Sequence, residues 1–158
     1  MPPVTLGDFA AFRDEMVQVV EEYFSAGGPP DAHMPPMAML WAADGRRVKI
    51  TLIPDFERGE QENVGEATLP RAIRDLQAEY AALIVSASAT VLQPSSEIRD
   101  VVQIALFQRG RDRAELGMAA VGRDGKSAPT LGPWEWMKPD HRLKGRLVDG
   151  SLRAMNEP

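Results

Sequence analysis

Cysteine is absent from this 158-residue chain, which excludes disulfides, thiolate nucleophiles, iron–sulfur clusters and Cys-type zinc sites. Histidine is nearly absent. The only two, His33 and His141, stand far apart in proline-flanked segments, so a metal site joining them to Asp31 or Asp140 is not expected and they read as loop residues. Long apolar runs are missing too. No stretch reaches the roughly 18 residues a membrane helix needs, and Met1-Pro2-Pro3-Val4-Thr5 has neither the basic start nor the apolar run of a signal peptide. There is no basic surplus: 18 Lys and Arg stand against 23 Asp and Glu, a net charge of −5, which weighs against a general nucleic-acid binder. The phosphate-loop, dinucleotide and nucleophile-elbow patterns of glycine do not occur. These absences lead us to expect a cytoplasmic protein with no cofactor, metal or membrane partner.

What remains is an ordinary globular balance, 44% hydrophobic and 26% charged, at the length of one core. Residues 1–36 carry Arg13 against Asp8, Asp14, Glu15, Glu21, Glu22 and Asp31, whereas residues 137–158 carry Lys138, Arg142, Lys144, Arg146 and Arg153 against three acids. The two ends therefore have opposite sign. The organisation expected is one α+β domain over 1–136 and a basic C-terminal tail over 137–158.

Leu6, Phe9, Ala10, Met16, Val17, Val20, Tyr23 and Phe24 fall at helical spacing and predict a helix over 6–26 with Thr5 as its cap, stopped by Gly27-Gly28-Pro29-Pro30. Arg13 breaks the stripe and is expected to snorkel at its edge. Asp44-Gly45 is the pair a two-residue hairpin turn prefers, and it predicts that 37–43 and 46–53 pair with Trp41 opposite Val48, Met39 opposite Ile50 and Met37 opposite Leu52. Those six apolar residues would then share one buried face. Residues 54–68 read as a long acidic loop. Leu69, Ile73, Leu76 and Tyr80 predict a helix over 69–81. Strands follow at 83–92, 101–108 and 114–122, and 127–136 reads as irregular chain anchored by Trp134 and Trp136. A short helix within 143–148 or 151–155 is weakened by Gly145 and Gly150.

The expected order is α-β-β-α-β-β-β. It describes an α+β fold with a mainly antiparallel five-stranded sheet, two helices on one face and an irregular basic C-terminal tail. Over residues 6–122 this order resembles that of roadblock and profilin-like domains. The resemblance is one of element order without a sequence motif, and it implies an assembly or interaction module.

Candidate chemistry is sparse. Asp55 with Glu57, and Glu97 with Asp100, are the carboxylate pairs, and each reads more simply as loop acids. Ser95 and Ser96 have no histidine near them in sequence. No catalytic residue is assigned. Arginine forks suit anions, so Arg109, Arg111 and Arg113 are anion-binding candidates, while Arg46, Arg47 and Lys49 crowd the first hairpin; both clusters also serve simply to keep hairpins soluble. Met34, Met37, Met39 and Trp41 suit the core. Leu131, Trp134, Trp136, Met137 and Arg142 are interface candidates, because apolar aromatics outside the periodic elements either plug a core or anchor a contact. The function expected is a non-enzymatic interaction or assembly module with an unidentified protein partner, self-associating, most simply as a homodimer. The alternative is a small-molecule-binding protein or hydrolytic enzyme with a carboxylate-lined site.

Overall fold

The computed structural model describes residues 8–29, 34, 36–51, 69–90, 98–111, 114–123, 125–137 and 146–156. Helix α1 is Phe9–Ser25. Strands β1 (Met37–Ala42) and β2 (Arg47–Thr51) form a hairpin, helix α2 covers 69–76, and four long strands follow: β3 (Ala78–Thr90), β4 (Ile98–Gln108), β5 (Glu115–Gly122) and β6 (Thr130–Trp136). Helix α3 is Arg146–Asn156. The six strands make one antiparallel sheet in the order β2-β1-β3-β4-β5-β6. The expected α+β class and antiparallel sheet are present. The expected count of five strands and the placement of both helices on one face are not.

Helices cover both faces. On one, Phe12, Met16 and Val20 of α1 pack with Met37, Trp41, Tyr80, Ile84, Val102, Ile104 and Leu106. On the other, Leu69 and Ile73 of α2 and Ala154 and Met155 of α3 pack with Leu40, Ala81, Leu83, Ala105 and Phe107. A sheet buried twice over must be apolar at odd and even positions alike, and β1, β3 and β4 are. The two cores differ in kind: the α1 side gathers the aromatic rings of Phe12, Trp41 and Tyr80 at centroid distances of 5.0–6.4 Å, while the other is lined by alanines that let two helices approach. Residues expected as an irregular tail thus include a helix whose Ala154 and Met155 are buried, because an amphipathic stripe overrides one interior glycine.

Three local features depart from expectation. The cap of α1 is Asp8, whose Oδ1 accepts from the Ala11 N–H at 2.8 Å, rather than Thr5, so the helix starts at Phe9. The hairpin closes through three residues. The Ala42 carbonyl accepts from the Gly45 N–H at 3.0 Å and the Ala42 N–H donates to the Arg46 carbonyl at 2.8 Å, with Gly45 at φ 91°, which is a type I turn followed by a left-handed residue. The Asp44 carboxylate accepts from the Arg46 backbone N–H at 3.0 Å, which, with the Arg46 guanidinium beside it, holds its pKa below the usual range. One extra turn residue shifts the register by one. Trp41 faces Arg47, Met39 faces Lys49 and Met37 faces Thr51, so the predicted pairs of Trp41 with Val48 and Met39 with Ile50 do not form. Leu52 lies outside the described residues. Lastly, the helix expected to run to 81 stops at 76, because Gln77 takes a left-handed φ of 49° and turns the chain straight into β3.

Candidate functional site

β6 occupies the register that 127–136 was expected to fill with irregular chain. Gly132 and Pro133 together oppose Ala120, between the pairs Ala119↔Trp134 and Val121↔Leu131. This β-bulge accommodates a proline that an unbroken ladder would reject. It also resets the side-chain alternation, so Leu131, Trp134 and Trp136 all turn toward α1.

The Met137 N–H donates to the Leu116 carbonyl at 2.9 Å. By the alternation of an antiparallel ladder, the main-chain groups of Trp134 and Trp136 then point away from β5, toward the outer edge. Their partners Ala119 and Gly117 sit at the non-hydrogen-bonded pairs of the ladder, where facing Cα atoms come closest, and both are small. Gly117 has no choice: a Cβ there would lie 2.6 Å from Cζ3 of Trp136. The two indoles stack with centroids 6.0 Å apart and planes 24° from parallel. The Arg13 guanidinium of α1 lies 5.5 Å from the Trp136 centroid, the snorkelling expected of it. Both tryptophans are half-buried against the α1-side core, and the buried Trp134 Nε1 finds no acceptor among the described residues. Met137 follows at the strand end; Arg142 lies outside the described residues.

A cleft of about 660 Å³ opens beside this bulge, where β4, β5 and β6 end. Asp100 of β4 and Arg123 just past β5 face each other in it, Arg123 Nε donating to Asp100 Oδ2 at 2.8 Å. Their side chains are 35% and 22% exposed. In the register that sets Val101 opposite Ala120, these residues are diagonal neighbours, within reach for a long side chain. Val121, Leu131 and Pro133 supply apolar wall and Thr130 a hydroxyl. Arg123 was not among the expected site residues; opposite charges on a diagonal are visible only once the register is known.

Other expected residues are placed elsewhere. Arg109 Nε donates to the Ala78 carbonyl at 3.1 Å and lies 3.8 Å from the Glu79 carboxylate, tying the end of β4 to the start of β3. The Arg111 guanidinium sits 5.9 Å from the Phe9 ring centroid. Arg113 is outside the described residues, as are Asp31, His33, Asp55, Glu57, Ser95, Ser96, Glu97, Asp140 and His141. On the first hairpin, Arg46 pairs with Asp44 at 2.7 Å, and Arg47 pairs with Glu15 of α1 at 3.0 Å while lying 4.0 Å over the Trp41 ring. Met34, Met37 and Trp41 are core residues. Burial raises the Tyr80 phenol above its ordinary pKa, and the charges of Glu79 and Asp8 push the same way. Among the described residues no group of three His, Asp or Glu could hold a metal ion, and no helix is long and apolar enough to cross a membrane.

The class defined is an α+β domain with a six-stranded antiparallel sheet covered on both faces. The chain matches no family model, no curated protein and no solved structure.

Proposed function

We propose that the protein is a non-enzymatic interaction module that associates with itself along the β6 edge. The observation that carries this reading is the composition of that edge. Trp134 and Trp136 turn their main-chain groups outward, and the strand TLGPWEW holds one charge, Glu135. Exposed strand edges are pairing templates unless charge, proline or a bulge blunts them. Here the bulge guards one half of β6 and leaves Trp134 to Met137 as a short pairing surface, in a closed two-fold dimer. Light scattering of the full chain at tens of micromolar should give the mass of two chains. Pro133→Glu, which adds a second negative charge beside Glu135, should weaken the dimer about tenfold through like charges brought together across the two-fold axis. A monomeric mass across the concentration series refutes the reading.

The cleft favours a second reading, a small-molecule-binding protein. It offers one carboxylate among the described residues, already paired to an arginine, whereas acid–base hydrolysis by carboxylates uses two in different environments. Binding therefore fits this site better than hydrolysis.

A further inference from the structure

We infer that Glu135 is the residue that limits self-pairing: the β6 edges of two copies meet antiparallel, and Glu135 of each copy faces Glu135 of the other across the two-fold axis. This rests on self-association along that edge and names the side chain that governs its strength and selectivity.

The main chain selects the register. The Met137 N–H is taken by the Leu116 carbonyl at 2.9 Å, and successive residues of an antiparallel ladder bond to opposite sides, so Trp134 and Trp136 hold the outward groups. Pro133 has no N–H to offer, and the bulge at Gly132 and Pro133 ends the alternation upstream. A two-fold axis can then lie on Trp134, Glu135 or Trp136. On Trp134 it sets Trp136 against Gly132 of the second copy, inside the bulge. On Trp136 it sets Trp134 against position 138 of the second copy, past the end of the strand. Only the axis on Glu135 lets the two open residues meet, with Trp134 of each copy exchanging both main-chain bonds with Trp136 of the other. In that register the indoles also form cross-strand pairs on the α1 side, continuing the stack of 6.0 Å within each copy.

Glu135 alternates with the indoles and so turns to the opposite face of the sheet. There it is exposed and stands opposite Met118 of β5, with Leu116 and Ala120 on the diagonals. It makes no ion pair among the described residues. On the axis it forms a non-hydrogen-bonded pair with its own copy, at a Cα separation of about 4.5 Å. Like charges directly opposite each other work against an association that main chain and indoles favour. A cation at the same place would be attracted instead, so one side chain decides how tightly, and with what, the edge pairs.

The plainer role of Glu135, a solvated charge on an outer strand, predicts no selectivity and makes the test decisive. In sedimentation equilibrium on the full chain, Glu135→Gln should tighten the dimer about tenfold. Glu135→Lys replaces one like-charge pair by another, so it should pair with itself no better than the wild-type chain does. Mixed with nitrogen-15-labelled wild-type chain and followed by native mass spectrometry, it should form the mixed dimer well above the statistical share. Asp75→Lys is the control: it changes net charge equally, at an exposed position on α2, which packs over β1, β3 and β4, and its mixed dimer should keep the statistical share. Near-ultraviolet circular dichroism checks the indoles in each variant, and if Glu135→Lys disturbs them, the tightening by Glu135→Gln carries the test. A dimer that is equally strong in Glu135→Gln and wild type, or mixes statistically with Glu135→Lys, overturns this register while self-association stands. Enrichment that is as great with Asp75→Lys overturns it too, because net charge then explains the result. Chains that stay monomeric at every concentration, Glu135→Gln included, overturn both.

Discussion

The two edges of the sheet solve one problem in opposite ways. At the β2 edge the charges stand on the outer strand itself: Arg47 and Lys49 are on β2, and Arg47 reaches back over Trp41 of β1 and to Glu15 of α1. At the β6 edge the aromatic residues stand on the outer strand and the arginine comes from the helix, as Arg13 over Trp136. Each edge thus has a guanidinium on an indole, tying α1 to that side of the sheet. Only β2 carries its own cations, which discourage further pairing. The same kind of stacked pair thus places the cation on the edge strand at β2 and on the helix at β6.

Gly117→Val should disturb this contrast most. Its side chain would occupy the space of the Trp136 ring, so we expect a loss of about 3 kcal/mol, with displaced indoles, measured by denaturant unfolding and near-ultraviolet circular dichroism. Trp136→Ala removes the ring instead. Because the residue is half-buried, a loss of about 2 kcal/mol is expected, below that for a fully buried tryptophan, and unfolding curves read it directly. Arg47→Ala tests the other edge. It deletes an exposed ion pair and a cation–π contact and should cost about 1 kcal/mol or less, with the smaller part lost in high salt. A cost above that of Trp136→Ala would reverse the ranking of the edges. Tyr80, between them, should have its own effect only in alkali. Its phenol is raised above 10.0 in the fold, so the unfolded chain loses that proton first: the contribution is complete below pH 10 and falls away as pH rises past it. Tyr80→Phe should remove that part of the alkaline loss of stability.

Most of the elements were legible in the sequence, and the failures have physical causes. The stripes of α1 and α2, the hairpin and the three strands after it follow from period and turn residues. The hairpin register did not. β1 is apolar on both faces, so alternation in Met37–Ala42 could not choose between adjacent registers, and Asp44-Gly45 serves a three-residue turn as well as a two-residue one. The extent of α2 was hidden because the left-handed residue that ends it is Gln77 rather than glycine. β6 was hidden by its own bulge: Leu131, Trp134 and Trp136 share a face at a spacing that matches neither a strand nor a helix. Trp134 and Trp136 stood out as aromatics outside the periodic elements, but the small residues beneath them, Gly117 and Ala119, carried no such sign. The cleft was invisible for a simpler reason, since Asp100 and Arg123 meet only through the pairing of β4 with β5.

The strand order also constrains how the chain reaches this state. β3, β4, β5 and β6 are neighbours in both sequence and space, so each can zip onto the one before it through a local connection. β1 must instead find β3 across α2 and the segment before it, closing a much longer loop at greater entropic cost. Folding is therefore expected to begin in the β3–β6 meander, with the β1–β2 hairpin joining as a late arrival. Substitutions in β4, such as Ile104→Val, should slow folding, whereas Ala38→Gly in β1 should mainly hasten unfolding.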